Sequence, residues 1–164
     1  MKHVTLMFLM RDDALLLAMK KRGFGAGKWN GAGGKVEPGE TPQAAAVREC
    51  QEEVCVTPEN PQLAGILHFF DLPEVEHYCH IYVATEWKGE PTETEEMRPQ
   101  WFSFDEIPYD SMWADDHLWM PELIAGKPFK GRVVIDDDTV REWQLDGLTP
   151  DELAAFDVKA REAI

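Results

Sequence analysis

The sequence predicts one domain of the α/β class, with strands and helices interleaved along the chain. Three observations carry this reading: enough apolar material for one core, short apolar runs bounded by turn residues, and a capped helix behind a glycine-rich loop. With 164 residues, 44% hydrophobic and 29% charged, the chain can build one fully cored domain and is short for two.

Val4 to Met10 and Ala14 to Met19 are apolar runs separated by Arg11-Asp12-Asp13, a break that suits a two-strand hairpin. Gly23, Gly25, Gly27, Gly31, Gly33 and Gly34 then crowd a loop whose backbone can approach a ligand closely. Thr41 and Pro42 read as N-cap and first helical residue, since the hydroxyl can accept from an orphan amide and proline needs no donor there. That helix is expected to run to about Val54, with Ala46, Val47, Cys50 and Val54 as its apolar stripe and its carboxylates on a largely different face.

Further strands are expected over Gln62 to Asp71 and His77 to Thr85, turning at Pro73, Glu74 and Glu76. Lys88 to Met97 reads as a polar surface connection. Pro99 to Phe104 returns to β-like alternation, Asp105 to Pro108 suits a short helical turn, and Trp113 and Trp119 have helical spacing. A hairpin of Lys130 to Ile135 and Val140 to Leu145 surrounds Asp136 to Asp138, and Thr149-Pro-Asp-Glu152 is a capping-box start for a closing helix. No repeat or low-complexity linker interrupts the chain.

The chemistry concentrates in GKVEPGETPQAAAVRECQEEVCV, Gly34 to Val56. Helical positions three and four apart share a face, so Glu49, Glu52 and Glu53 project together and Arg48 reaches Glu52. Three clustered carboxylates require a cation. Thirty-one acidic residues against sixteen basic ones give a net charge of -15, which disfavours a nucleic-acid polymer or an anionic membrane as partner. Yet Ala14 to Val36 contains no Asp or Glu and holds Lys20, Lys21, Arg22, Lys28 and Lys35. This cationic island offers local help to a phosphate-bearing ligand.

Cys50, Cys55 and Cys79 form neither an even disulfide set nor a CxxC pair, and the N-terminal segment lacks the apolar core of a signal peptide. A soluble protein in the reducing cytoplasm is therefore expected, with no span across a membrane and no obligatory protein partner implied.

Gly34, Glu40, Arg48-Glu49, Cys50 and Glu52-Glu53 resemble the Nudix box of nucleoside-diphosphate-linked-moiety hydrolases. Cys55 stands where that box carries glycine. The flanks KKRGFGAGKWNGAGGK and EMRPQWFSFDEIPYDSMWADDHLW are similar to the MutT-homologue branch, the 8-oxo-dGTP diphosphatases that act on oxidised purine nucleoside triphosphates. The resemblance covers most of residues 1 to 146 and implies the Nudix fold, an α/β/α sandwich with a central mixed β-sheet. The hydrolase domain would span 1 to 147, with 148 to 164 an added helix packed on it.

The same resemblance implies magnesium, with manganese as a possible substitute, held by the Gly33 carbonyl, Glu49, Glu52, Glu53 and Glu96. Glu53 or Glu52 would be the base and Arg48 would hold the glutamates in register. Asn30, Asp115 and Asp116 would hydrogen-bond the purine edge and Trp113 would stack on it. Phe24, Phe69 and Thr5 would line the pocket, with Lys20, Gly34 and Lys35 also on the substrate side. Ala32 replaces the family's aromatic residue after the Asn-Gly pair.

Other readings of these residues are blander. Acidic clusters on helices are usually solvated faces, and Trp113 and Trp119 would otherwise be core; Trp119 is read as structural. His77, Cys79 and His80 alternate across a strand and match no zinc spacing. Asp136 to Asp138 lacks the rest of a calcium loop. Against the triphosphate hydrolase stand hydrolysis of another nucleoside diphosphate-linked substrate and a non-catalytic nucleotide-binding module. The module would be expected to have lost box glutamates, and none is missing.

Overall fold

A computed structural model describes residues 1–164. In chain order its elements are β1 (Lys2–Arg11), β2 (Ala14–Lys20), β3 (Trp29–Asn30), α1 (Pro42–Val54), β4 (Thr57–Glu59), β5 (Gln62–Asp71), β6 (Val75–Ala84), β7 (Glu86–Lys88), β8 (Met97–Ser103), α2 (Asp116–Ile124), β9 (Phe129–Asp136), β10 (Thr139–Gly147) and α3 (Pro150–Ala160). Eight strands form one mixed sheet in the order β10-β9-β5-β6-β1-β2-β3, with β8 also on β2. β1 lies parallel to β6, from Lys2 opposite His77 to Leu9 opposite Ala84. β5 lies parallel to β9 and antiparallel to β6.

The hairpin of β1 and β2 is paired only at its tip, Met10 with Leu15 and Arg11 with Ala14. Beyond it the strands part, and β2 pairs with β8 on one edge and with β3 at its far end. The freed edge of β1 carries backbone groups that must find partners, and the glycine loop supplies them. Thr5 N–H donates to Gly34 O (2.9 Å), Met7 N–H to Ala32 O (2.7 Å), and Val36 N–H to His3 O (3.0 Å). The loop therefore fills an opening in the middle of the sheet.

Strand alternation sends β1 to both faces. Met7 and Leu9 join Ala46, Cys50 and Val54 of α1, with Leu153, Phe156 and Ala160 of α3. Phe8 joins Trp119, Met120 and Leu123 of α2, with Leu67, Cys79, Ile81 and Phe129. Helices cover both faces of the mixed sheet, as expected of an α/β/α sandwich.

Caps and turns set the boundaries that the sequence suggests. Thr41 Oγ1 accepts from Ala44 N–H (3.1 Å), and the helix ends at Cys55 in the left-handed region (φ +65°) with its N–H on Gln51 O. Asp137 and Asp138, both at positive φ, make the two-residue hairpin turn. Both bonds of the Thr149–Glu152 capping box form.

Elsewhere the structure departs from expectation. β3 lies inside the region read as loop, and Glu86–Lys88 pairs with Thr57–Glu59 in a small second sheet; strands this short carry no periodic signal. The helical turn expected at Asp105 to Pro108 is a 3-10 turn over Phe104–Glu106. α2 begins at Asp116, so Trp113 precedes it and the two tryptophans do not share a helix. Glu53 was expected away from the apolar stripe but is buried beside it, 7% exposed.

Close approach fixes Gly33. A Cβ there would lie 1.8 Å from the Thr5 carbonyl oxygen, a backbone atom that cannot yield without breaking the β1 pairing. Gly33→Ala is expected to destabilise the fold by at least about 3 kcal/mol, the upper part of the usual overpacking cost. Urea unfolding of the variant checks this.

Candidate active site

The site begins with Arg48, which α1 points back toward the loop. Its guanidinium donates to Glu40 through Nε (2.8 Å) and Nη2 (2.9 Å), to Glu49 through Nη1 (2.9 Å), to Glu52 through Nη1 (3.4 Å), and to Lys35 O through Nη2 (3.1 Å). The forked pair with Glu40 is the geometry that carboxylate and guanidinium match best, and it holds the Glu40 carboxyl below its usual range. Glu49 and Glu52 are thereby fixed from one side by a single planar cation.

The loop backbone closes the other side. Gly33 N–H donates to Glu53 Oε2 (3.3 Å), and a Cβ at Gly34 would stand 2.5 Å from the Glu49 carboxylate. Glycine is required at both positions because the loop runs within contact distance of the two carboxylates. Thr94 Oγ1 donates to Glu53 O (2.8 Å) and accepts from Glu96 N–H (3.3 Å), tying the segment that carries Glu96 to the end of α1. Glu96 also meets Arg22 (3.9 Å).

Burial and neighbouring charge make this an anion-rich, partly dry site. Desolvation pushes the Glu53 carboxyl up to about 8; the Gly33 N–H and Lys20 oppose this, while Glu49 and Glu96 add to it. Glu49 is also raised, first by burial. Such carboxylates are completed either by protons or by a cation. No three acidic, histidine or cysteine side chains close into a cage by themselves. The reason is visible: Glu49 is turned to Arg48 and Glu53 to Gly33, while Glu52 is largely exposed. An open set of hard oxygen donors still fits a cation that retains several waters.

A second group of side chains lies on the α2 face. Asp115 and Asp116 are each 3% exposed. Asp115 Oδ2 accepts from Trp119 Nε1 (2.9 Å), which gives the buried Trp119 its structural role. Asp116 Oδ2 has no partner, and burial followed by the Asp115 charge raises its carboxyl well above the usual range. Trp113 is approached by loop residues: the Phe24 ring is 5.1 Å away, the Lys28 ammonium lies 5.1 Å from its ring centre, and a Cβ at Gly25 would collide with it. Asn30 Oδ1 accepts from Gly31 N–H (2.8 Å), leaving its amide N–H groups free to donate.

Phe69 lies on the same face as this group, two residues beyond Leu67. Thr5 is not brought to it. Strand alternation places Thr5 on the α1 side with Met7, where its hydroxyl approaches Gly34 O (3.5 Å); the side chain braces the loop and does not join the aromatic group.

Two participants escaped the sequence reading, as did one strand register. Thr94 sits in a uniformly polar run and gives no periodic signal. Lys28 was visible only as one charge of the cationic island. His77 is the cross-strand partner of Phe69, on the β6 face that also presents Cys79; strand alternation could have found it once the β5–β6 register was known.

Residues 1–125 match the NUDIX domain family. The chain is 46% identical over 147 residues to the oxidized purine nucleoside triphosphate hydrolase of Danio rerio, covering 88% of this chain and 94% of that protein. Its counterpart in Mus musculus is 44% identical over 144 residues, 86% of this chain and 92% of that protein. Among solved structures, the mutator MutT protein of Bacillus halodurans superposes with a TM-score of 0.79 at 29% identity, covering 89% of this chain and 98% of that one.

Two outcomes follow from the carboxylate geometry. Arg48→Lys keeps the charge but cannot bond the Glu40 fork and Glu49 together, so hydrolytic turnover is expected to fall by about tenfold or more, the equivalent of one or two charge-assisted bonds; steady-state kinetics checks it. Glu53 gives a pH signature in the metal-free protein. Its folded pKa, about 8, exceeds the ordinary carboxyl value of 4.5, so between these limits the folded state holds more protons than the unfolded one. Stability is expected to fall as pH rises through that window, and Glu53→Gln to flatten the fall. Urea titrations in a chelator at several pH values measure both.

Proposed function

The chain belongs to the NUDIX family, and from that premise we propose that it hydrolyses oxidised purine nucleoside triphosphates, such as 8-oxo-dGTP or 2-hydroxy-dATP, to the monophosphate and pyrophosphate. The observation that carries the substrate class is the buried Asp115–Asp116 pair with an unpartnered oxygen on Asp116. A buried polar atom without a partner costs free energy, and a purine edge supplies that partner. Burial raises both carboxyls and the Asp115 charge adds to the rise at Asp116, while the Trp119 N–H opposes it at Asp115, so one proton shared by the pair favours Asp116. The pair then offers a donor beside an acceptor.

Asn30 adds an amide donor. Trp113 offers a stacking face, worth about 1–3 kcal/mol for a base, and Phe24 and Phe69 supply apolar walls. Stacking tolerates any base, so discrimination falls to the polar groups, which penalise a ligand lacking the matching partner. The substrates named for the Danio rerio and Mus musculus relatives support this reading.

NUDIX hydrolases use a divalent cation, which we take to be magnesium, with manganese as a substitute. The Gly33 carbonyl, Glu49, Glu52, Glu53 and Glu96 would hold it, and when bound it supplies positive charge to the polyphosphate and to the attacking water. The rest falls to the chain. Lys20 and Lys35 draw the phosphates toward the glycine loop. Glu53, buried and held by the Gly33 N–H, accepts a proton from water as the water oxygen bonds to phosphorus; the bond from that phosphorus to the bridging oxygen breaks and pyrophosphate leaves. Glu52 is largely exposed and turned to Arg48, whereas Glu53 is buried against the loop. Arg48 touches no substrate and keeps Glu49 and Glu52 in place.

No helix is long and apolar enough to cross a membrane, and Cys50, Cys55 and Cys79 are all free thiols. The net charge of -15 disfavours a nucleic-acid polymer or an anionic membrane as partner, and the proposed small-molecule reaction in the cytoplasm calls for no protein partner.

The test is release of cleaved nucleotide product, separated by anion-exchange chromatography, with magnesium across 8-oxo-dGTP, 2-hydroxy-dATP, dGTP, a diadenosine polyphosphate and ADP-ribose. Oxidised purine triphosphates are expected to give the highest kcat/KM. Equal rates for dGTP would remove the claimed specificity, and no release from any of the five would favour a nucleotide-binding module.

A further inference from the structure

The chain beyond α3 returns to the site. α3 is anchored on the α1 face through Leu153, Phe156 and Ala160, and after it Ile164 N–H donates to Glu40 O (3.0 Å) while Gly39 N–H donates to Ile164 O (2.6 Å). Glu40 thus takes the tail on its backbone and Arg48 on its carboxylate (2.8 and 2.9 Å). The remaining bonds within this turn are local: Glu40 N–H to Glu37 O (3.0 Å) and Glu37 N–H to Glu40 Oε1 (3.1 Å). The pair with Ile164 therefore supplies the turn's backbone bonds to a distant part of the chain.

We infer that the tail from Arg161 to Ile164 is a positioning brace for the catalytic glutamates. It pairs with Gly39 and Glu40, fixes the turn that aims the Glu40 carboxylate at Arg48, and through Arg48 sets Glu49 and Glu52. The tail itself contacts neither the carboxylate cluster nor the base pocket. A turn closed only by local bonds would let the Glu40 fork sample other orientations, and Arg48 would then hold Glu49 and Glu52 less often in the productive arrangement. The brace acts through backbone atoms, so the Ile164 side chain, 43% exposed, contributes little.

The role rests on the hydrolase reading, and its test is chosen to separate the two. Three proteins are compared: the full chain, the chain ending at Ala163, and Ile164→Ala. For each, kcat and KM for 8-oxo-dGTP, manganese affinity by water-proton relaxation, and the melting temperature are measured. Removing Ile164 is expected to lower kcat about fivefold, the effect of losing roughly one net hydrogen bond's worth of order. It should also weaken manganese binding while leaving KM and melting temperature close to those of the full chain. Ile164→Ala keeps both backbone bonds and should behave like the full chain.

Unchanged kcat and manganese affinity in the shortened chain would overturn the brace, as would an equal loss in Ile164→Ala. If the full chain hydrolyses no nucleotide, the functional reading fails, while the difference in manganese affinity still decides whether the tail orders the carboxylates.

Discussion

The Arg48 guanidinium is the interaction on which the site depends. It gathers Glu40, Glu49, Glu52 and the Lys35 carbonyl onto one rigid plane, joining the helix, the turn before it and the loop that approaches β1. Lysine could neutralise one of these carboxylates but could not orient them together. The cation also offsets part of the repulsion among the glutamates, which lets α1 carry them side by side close to an apolar core.

The carboxylates are expensive to keep, and both halves of the site show it. Glu53 is pushed toward neutrality by burial, and Asp116 is pushed the same way, with an oxygen left unpartnered. Stability alone would favour replacing either with an apolar group of similar shape. Their presence makes sense if the missing partners come from outside, a cation at one end and a purine edge at the other. Gly33 and Thr94 hold Glu53 in place, and Trp119 holds Asp115 beside Asp116.

Much of this was legible in the sequence because it depends on local rules. The cap at Thr41, the turn at Asp137-Asp138 and the capping box at Thr149 each announce an element boundary within four residues. The box glutamates and Arg48 were readable because helical spacing fixes their neighbours. Register was not readable: the side of β1 on which Thr5 falls, the pairing of His77 with Phe69, and the bond from Ile164 to Glu40 all join residues far apart in sequence. Trp113 and Trp119 mislead for the same reason, since their spacing fits a helix but the chain starts α2 only at Asp116. The burial of Glu53 was missed because a binary polar pattern assigns charge to the surface, whereas here the loop backbone follows it inward.

The parting of β1 from β2 gives the site a built-in measure of length. The carboxylate helix lies on one face of the sheet and the Asp115–Asp116 pair on the other, and the segment from Asn30 to Gly34 passes through the opening between them, held to β1 by backbone bonds. Backbone bonds at Ala32 and Gly34 tie this segment to β1, so under the proposed function the distance from base to phosphate is set by backbone and not by side chains. A nucleotide whose scissile phosphorus lies at the wrong reach would be bound at one end and left uncut at the other, whatever its affinity for the pocket.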